Sequence, residues 1–266
     1  MISEYRVFYL HGLPGSSQEL CAAGLSPRAC DAIVTLDRMA RFTADQGWEA
    51  ALLDAFDQAY AEHGRRRVHL VGFSLGAMPT LLIAAQRPDA VAAVDLISPA
   101  APLELGTFLP RMAGAPVFKA AQRGDAALRR LGDAQSWILK LAPALLLRLM
   151  FARSAAAERR LLRESPFREA LYDGLKRSLG PYRRAYEAEL KAYVAGWSDR
   201  LNAVTLPVRL WHGDADDWAP LDMAQRLAER LPAGSVVNSL PGAGHFGALR
   251  RALPLILEPS FAAQGR

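Results

Sequence analysis

Apolar residues cluster in six short runs along the chain, and most of these runs end at a glycine, a proline or a small polar residue. Near-continuous apolar runs of this length are typical of strands that are buried on both faces of a sheet. The predicted strands cover residues 6–12, 32–37, 67–72, 90–98, 207–213 and 235–240.

Between most of these runs, apolar side chains recur at helical spacing. One such stretch places Leu52, Phe56 and Tyr60 on one face, and Gly64 after it favours a helix end. A second stretch, at 221–232, shows the same spacing. Strands that alternate with helices predict a parallel sheet with helices on both faces.

The alternation fails for about a hundred residues after Pro99. That stretch is rich in Leu, Ala and Arg, and repeated Pro and Gly residues divide it into several pieces of helix length. We therefore predict an α/β core formed by residues 1–102 and 201–266, with an all-helical insertion at 103–200. A chain of 266 residues with 51% apolar content is long enough for one such core.

The net charge of +5 is unevenly distributed. Residues 103–200 hold 18 Lys and Arg against 10 Asp and Glu, a net charge of +8, whereas the rest of the chain carries −3. This excess could steer an anionic substrate or an anionic membrane surface, or it could belong to solvated helix faces. The basic residues form no nucleic-acid-binding motif, so no nucleic-acid partner is expected.

The sequence predicts no membrane-spanning helix and no metal site. The longest apolar stretch, 139–151, contains Pro143 and two basic residues and is shorter than the roughly 20 residues that a bilayer span requires. The first residues lack a positively charged leader, which predicts a cytoplasmic protein. Cys21 and Cys30 have no metal-ligand spacing around them and are expected to be reduced thiols.

The segment Gly-Phe-Ser-Leu-Gly at 72–76 follows one predicted strand and precedes a helical stretch. A sharp strand-to-helix turn at this point requires glycine at 72 and 76, where larger side chains would clash. The turn would raise the Ser74 hydroxyl above the carboxyl edge of the sheet and set the N–H of Leu75 beside it. This arrangement suits a nucleophile that attacks a carbonyl group.

A serine hydroxyl is a poor nucleophile unless a general base and an orienting group assist it. The loop at 212–220 follows a predicted strand and offers Asp214, Asp216 and Asp217, and the glycine-rich loop at 241–247 offers His245. Both loops leave the sheet at the edge where Ser74 is expected. Other candidates occupy less suitable positions, either within strands, at a helix end or at the loop starts: Asp95, His11, His63, His69 and His212.

With these motifs the chain resembles the α/β-hydrolase superfamily, in which the nucleophile, the acid and the histidine follow one another in that order. The resemblance runs from His-Gly-Leu-Pro-Gly-Ser at 11–16 to Gly-His-Phe-Gly at 244–247. In the family, the acid lies three residues after a glycine, which implies Asp216. The resemblance thus implies a catalytic triad of Ser74, Asp216 and His245.

The resemblance also implies an oxyanion hole formed by the backbone N–H groups of Leu13 and Leu75, with His11 as a structural residue of the loop. A serine at the elbow, where dehalogenases and epoxide hydrolases carry aspartate, implies hydrolysis of a carboxylic ester or thioester through an acyl-enzyme, with no cofactor. Acyltransferases, lactonases, perhydrolases and carbon–carbon bond hydrolases use the same triad, and some receptors keep the fold without catalysis. These alternatives stay open, as do the acyl chain length and the oligomeric state.

The insertion would cover the active site as a cap and accept an apolar acyl group. Six of its large apolar side chains are candidates either to line an acyl pocket or to pack the cap itself: Trp137, Leu141, Leu145, Leu149, Phe151 and Phe167. The segment Gly-Ala-Gly-His-Phe-Gly at 242–247 matches a dinucleotide-binding pattern, but only 19 residues follow it. That is too few for the helix, strand and acidic residue that such a site needs.

Overall fold

The computed structural model describes residues 5–262, with side chains described as far as Leu257. Six strands form one sheet in the order β2-β1-β3-β4-β5-β6, and every neighbouring pair is parallel. The strands are β1 Arg6–Leu10, β2 Val34–Thr35, β3 Val68–Phe73, β4 Val91–Ile97, β5 Val208–Gly213 and β6 Val236–Leu240. All six predicted strands are therefore present, and the predicted α/β fold is confirmed.

Strand β2 is shorter than predicted. It pairs only with β1, at Phe8 and Tyr9, because it lies at the edge of the sheet. The chain leaves the sheet after Leu36, and Arg38 turns into the interior, where it forms a fully buried ion pair. The apolar run at 32–37 thus predicted the strand but not its early end.

Helices cover the sheet and bury its apolar faces. The central strand β3 is buried along its whole length. Helix α4 (Ala77–Gln86) packs on β3 and β4, and α12 (His245–Ala262) packs on β4 and β5. The predicted helix with Leu52 and Phe56 is present, and both side chains are fully buried. The helices that flank the sheet are α1 Gln18–Ala22, α2 Pro27–Asp31, α3 Trp48–Glu62, α4 Ala77–Gln86, α11 Leu221–Ala228 and α12 His245–Ala262.

Between β4 and β5 the chain forms six α-helices, where the sequence predicted several helical pieces without giving their number. They are α5 Ala115–Arg123, α6 Asp125–Leu141, α7 Pro143–Met150, α8 Ala156–Leu161, α9 Ser165–Leu179 and α10 Arg183–Val194. The long apolar stretch at 139–151 is divided between α6 and α7 at Pro143. None of the helices in the described part of the chain is long and apolar enough to cross a bilayer.

Two of the buried contacts that hold the inserted helices on the core lie next to the loop after β1. Glu189 in α10 receives hydrogen bonds of 2.8–3.1 Å from Arg38, and neither side chain reaches solvent. Gly174 in α9 lies against the backbone of Gly15, so closely that a Cβ at position 174 would stand 2.8 Å from the Gly15 Cα. The insertion therefore lies directly on the loop that follows β1.

Two cysteines of the flanking helices lie next to each other. Cys21 in α1 and Cys30 in α2 carry free thiols, and their sulfur atoms are 2.9 Å apart. Burial, followed by the neighbouring thiol, raises the pKa of Cys30 to about 12. A thiol with so high a pKa holds its proton at neutral pH and is a poor nucleophile.

Candidate active site

Three loops meet where the strands β3, β5 and β6 end. Because the strands are parallel, their carboxyl ends lie along the same edge of the sheet, where ligands of open α/β sheets bind. Ser74 follows β3 directly, Asp216 lies in the loop after β5, and His245 is the first residue of α12 after β6. The structure thus brings together all three side chains that the sequence indicated.

Ser74 occupies a strained turn between β3 and α4. Its φ of 56° lies in the left-handed region, which a residue with a side chain rarely adopts. The turn fits only because its two glycines lack a Cβ: at Gly72 a Cβ would collide with the Thr80 hydroxyl, and at Gly76 it would collide with the backbone carbonyl of Leu10. The glycines are therefore required for close packing around the serine.

A chain of hydrogen bonds links the three side chains. The Nε2 atom of His245 lies 2.9 Å from the Ser74 Oγ, and its Nδ1 lies 2.8 Å from the Asp216 Oδ2. Since a carboxylate only accepts, Nδ1 carries the proton and Nε2 is free to accept from the Ser74 hydroxyl. The Asp216 Oδ1 accepts two further hydrogen bonds, of 2.9 Å each, from the N–H groups of Trp218 and Ala219.

The electrostatics of this pair follow from its burial. Asp216 and His245 are 8% and 1% exposed. Burial alone raises the pKa of Asp216, but the attraction and hydrogen bond of His245 outweigh it and lower that pKa below 3.8. Burial lowers the pKa of His245, yet Asp216, followed by Glu158 and Asp217, raises it above 6.5. Asp216 is therefore an anion that favours the charged form of the imidazole.

Leu13 and Leu75 both border the same cavity as Ser74. The N–H of Leu75 belongs to the first turn after β3, and such N–H groups have no partner within the helix that follows. The loop that carries Leu13 is fixed from two sides: Arg38 donates to the His11 carbonyl at 3.0 Å, and the Gly12 N–H donates to Glu19 at 3.1 Å.

The cavity has a volume of about 350 Å³, within the range of small-molecule sites. Its lining is almost entirely apolar and comes from both the sheet loops and the inserted helices. Besides Ser74, the lining side chains with polar atoms are Gln135, Tyr186 and Trp218. The Trp218 indole N–H already donates to Ser154, at 3.1 Å. The site can therefore hold an apolar group next to the serine hydroxyl.

The six apolar side chains singled out in the insertion have three different fates. Leu149 lines the cavity. Phe151 and Phe167 are buried and pack on the ring of Phe246, with centroid distances of 5.8 and 5.0 Å. The expectation that such residues line the pocket or pack the insertion is wrong for three of them, which are exposed on α6 and α7: Trp137, Leu141 and Leu145.

The other candidate carboxylates and histidines do not contact the Ser74 hydroxyl, although Asp217 is close enough to affect the pKa of His245 and the His212 Nε2 lies 3.5 Å from the Asp216 Oδ2. Asp95 is buried in β4 and accepts hydrogen bonds from His69, Arg209 and Trp211 at 2.6–2.7 Å. Asp214 is exposed and accepts from the N–H of Gly242. The remaining histidines contact other groups: His11 the Gly12 carbonyl, His63 the ring of Phe8, and His212 the Ala219 carbonyl. In the described part of the chain, no group of three His, Cys, Asp or Glu side chains could hold a metal ion.

Sequence reasoning missed two buried glutamates near the site. Glu158 in α8 accepts hydrogen bonds from the N–H groups of Phe246 and Gly247, at 3.1 and 2.9 Å, on the first turn of α12. Glu19 in α1 accepts from Gly12 and from the Tyr9 hydroxyl at 2.8 Å. Neither glutamate stands in a recognisable motif, so the sequence carried no signal for its position.

Comparison with known proteins identifies the family. The family model described as "Alpha/beta hydrolase family" matches residues 7–254. A search of curated proteins finds no match.

Solved structures share the fold at low sequence identity. A thermophilic esterase from Thermogutta terrifontis is 16% identical, with a TM-score of 0.64, and the match covers 99% of this chain and 91% of that one. MenH from S. aureus is also 16% identical, with a TM-score of 0.64 and coverage of 100% and 96%. Est816, described as degrading N-acyl homoserine lactones, is 17% identical, with a TM-score of 0.54 and coverage of 98% and 92%.

These likenesses to solved structures concern the fold, whereas the family match spans most of the sequence. The chain belongs to the alpha/beta hydrolase family.

Proposed function

We propose that this protein is a serine hydrolase that cleaves carboxylic esters or thioesters through an acyl-enzyme. Ser74 is the nucleophile, His245 the general base and Asp216 the residue that orients the imidazole. The observation that carries the proposal is the position of His245, whose two ring nitrogens lie 2.9 Å from the Ser74 Oγ and 2.8 Å from the Asp216 Oδ2. This geometry meets the hydrogen-bond criterion for an activated serine.

In the first half of the reaction, the Ser74 Oγ attacks the carbonyl carbon of the substrate while its proton passes to the His245 Nε2. The carbonyl becomes a tetrahedral oxyanion, and the imidazolium is stabilised by the Asp216 carboxylate. When the oxyanion collapses, the bond to the leaving oxygen or sulfur breaks and His245 returns the proton to it. The acyl group is then bound to Ser74 as an ester.

In the second half, water replaces the leaving group. His245 takes a proton from the water molecule, which attacks the acyl carbon and forms a second tetrahedral oxyanion. Collapse of this oxyanion breaks the bond to the Ser74 Oγ, which regains its proton from His245, and the carboxylic acid leaves. The serine and the histidine end in the protonation states in which they began.

The backbone N–H groups of Leu13 and Leu75 stabilise both oxyanions in this proposal. Both residues line the cavity beside Ser74, and the loop that carries Leu13 is fixed by Arg38 and Glu19. Rigid donors aimed at developing charge are effective because they need no reorganisation during the reaction. Losing one donor typically costs about 3 kcal/mol of transition-state stabilisation.

The helices of the insertion act as a cap that supplies the acyl pocket. Side chains from α6, α7, α9 and α10 line the cavity, and most of them are aliphatic. Binding of an apolar acyl chain to such a surface is favourable because the chain leaves water, by about 25 cal/mol per Å² of apolar area that is buried. We therefore propose an ester with an apolar acyl group of short to medium length as the substrate class.

Covalent labelling tests the nucleophile directly. A fluorophosphonate probe should label the native chain at Ser74, and Ser74→Ala should abolish the labelling. Ser165→Ala, which removes an exposed serine in α9, is the matched control and should label like the native chain. A folded chain that resists the probe would contradict the proposed nucleophile.

A panel of substrates tests the reaction class. p-Nitrophenyl esters from acetate to palmitate, assayed beside thioesters and lactones, should reveal hydrolysis that improves from acetate to a longer acyl chain. The improvement follows from the apolar lining of the cavity. If the chain is labelled by the probe but hydrolyses none of these substrates, Ser74 remains the proposed nucleophile, whereas ester and thioester hydrolysis is excluded as the function.

A further inference from the structure

Four large apolar side chains are exposed on the two consecutive helices α6 and α7. Trp137, Leu141, Leu145 and Leu149 are 65%, 76%, 47% and 56% exposed, and they account for four of the seven large apolar side chains that are exposed among the described residues. Trp137 and Leu141 lie one turn apart on α6, and Leu145 and Leu149 lie one turn apart on α7. We call this set the apolar face. A soluble protein exposes such a concentration of apolar groups where another surface binds.

Two basic residues border the apolar face in a repeated pattern. Lys140 lies three residues after Trp137 and directly before Leu141, and Arg148 has the same relation to the next pair of leucines. Residues three and four apart are neighbours on a helix surface, so each cation stands at the margin of the apolar face. Residues 134–157 contain three basic residues and no aspartate or glutamate.

A shallow depression beside the apolar face is also basic. It has a volume of about 520 Å³ and lies between α6, α7 and α9. Its lining includes Lys140 and Lys176, and no carboxylate is present among the residues that line it. The depression therefore offers two ammonium groups to an anion of small size, such as a headgroup phosphate.

This combination of charges discriminates between two candidate partners. A symmetric dimer through the apolar face would place the same surface against itself and bring the basic residues of both copies together. An anionic lipid surface, in contrast, offers acyl chains to the apolar residues and phosphates to the cations. Long basic side chains can bury their stems in such an interface while their charges remain at headgroup level.

We propose that the apolar face is a docking surface for an anionic lipid bilayer. The four apolar side chains enter the boundary between headgroups and acyl chains, while Lys140, Arg148 and Lys176 contact the phosphates. The contact is peripheral. Binding needs no chemistry at Ser74, so this inference extends beyond the proposed function.

The position of α7 links the docking surface to the cavity. Leu146 and Met150 of this helix line the cavity that contains Ser74, and Leu149 belongs both to that lining and to the apolar face. One side of α7 thus faces the cavity and the other faces solvent. Helix α7 alone therefore separates a bilayer bound to the apolar face from the cavity.

Vesicle flotation tests the proposal. The full chain is mixed with vesicles of phosphatidylcholine and phosphatidylglycerol in equal parts, or of phosphatidylcholine alone, and the fraction that floats is measured. We expect the chain to float with the anionic vesicles and much less with the neutral ones. The Ser74→Ala chain should float equally, which separates docking from hydrolysis.

Substitutions in the docking surface give the quantitative test. The double variant Trp137→Ser and Leu141→Ser should lower the partition coefficient by about tenfold or more, since both side chains leave water on binding. The double variant Lys140→Glu and Arg148→Glu should reduce binding to the level of neutral vesicles. Leu255→Ser removes an exposed leucine from α12 and is the matched control that should bind like the native chain.

Three results would overturn the proposal. The native chain could fail to float with anionic vesicles, or the Trp137 and Leu141 double variant could float as well as the native chain. Third, the native chain could form a dimer in size-exclusion chromatography and bind no vesicles, while the double variant is a monomer. Circular dichroism of each variant verifies folding, which exposed substitutions should not disturb.

Discussion

The carboxylate of Glu158 accepts a hydrogen bond of 3.1 Å from the backbone N–H of Phe246, the residue that follows His245. Glu158 belongs to the inserted helices, whereas His245 begins the last helix of the core. The same carboxylate also accepts from Gly247 at 2.9 Å, so it binds the N-terminus of α12, where a negative charge is favourable. An inserted helix thereby holds the segment that presents the imidazole to Ser74.

The pH dependence of activity should reflect the protonation of the His245 imidazole. Only the neutral ring can accept the Ser74 proton, and Asp216 and Glu158 hold the pKa of His245 above 6.5. We therefore expect kcat/KM for a p-nitrophenyl ester to fall as the pH decreases, with a midpoint above 6.5. A profile that stays flat down to a pH well below this value would exclude His245 as the general base.

Glu158→Gln should shift this midpoint to lower pH. Glutamine keeps one oxygen that accepts from the backbone and replaces the other with an NH₂ group, which loses one hydrogen bond. It also removes the negative charge that helps to raise the pKa of His245. The pH profile separates this electrostatic effect from a structural one, because disturbed packing alone lowers kcat at every pH.

Glu164→Gln is the matched control for this shift. Glu164 also belongs to the insertion, but it is exposed and pairs with Arg250 at 2.6 Å. Its substitution should leave the midpoint unchanged. If Glu158→Gln and Glu164→Gln give the native profile, Glu158 has no electrostatic role at the imidazole.

Asp216→Asn should lower kcat by about 10³- to 10⁴-fold. An amide at this position offers its NH₂ group to the imidazole, which favours the ring form whose Nε2 carries the proton and cannot accept from Ser74. Asp214→Asn makes the same chemical change at an exposed position in the same loop and should retain activity within a few-fold of the native value. Equal losses in the two variants would show that the orienting carboxylate is not Asp216.

Much of the fold and the geometry around Ser74 could be predicted because the signals are local. The apolar run before Gly72 predicts β3, and the two glycines predict a turn that is too tight for a Cβ. The chain order then indicates Asp216 and His245, which follow β5 and β6 and reach the same edge of a parallel sheet.

Contacts between distant segments could not be predicted in this way. Arg38 and Glu189 are 151 residues apart, and nothing in the local sequence of either one indicates an ion pair. The exposure of Trp137 and Leu141 depends on how α6 and α7 lie on the core, because helical spacing reveals that a face exists but not what covers it. The sequence therefore predicted the helices of the insertion, but it did not predict that these two side chains are exposed.

Glu19 gives a prediction for stability. Burial, opposed by hydrogen bonds from Tyr9 and Gly12, raises its pKa from 4.5 to about 7. Between these values the folded chain keeps a proton that the unfolded chain releases, so the free energy of unfolding falls as the pH rises. One pKa unit corresponds to about 1.4 kcal/mol, and the full effect of Glu19 is therefore about 3 kcal/mol.

Glu19→Gln removes the ionisable proton and keeps an oxygen that accepts from Gly12. The variant should gain free energy of unfolding relative to the native chain between pH 5 and pH 8, by up to about 3 kcal/mol, as measured by urea denaturation. Glu62→Gln, at an exposed position in α3, is the control for the loss of a carboxylate. The prediction is wrong if Glu19→Gln changes the free energy of unfolding by the same amount at pH 5 and at pH 8. Glu19 would then be ionised in the folded protein throughout this range, and Tyr9 and Gly12 would donate to a carboxylate anion.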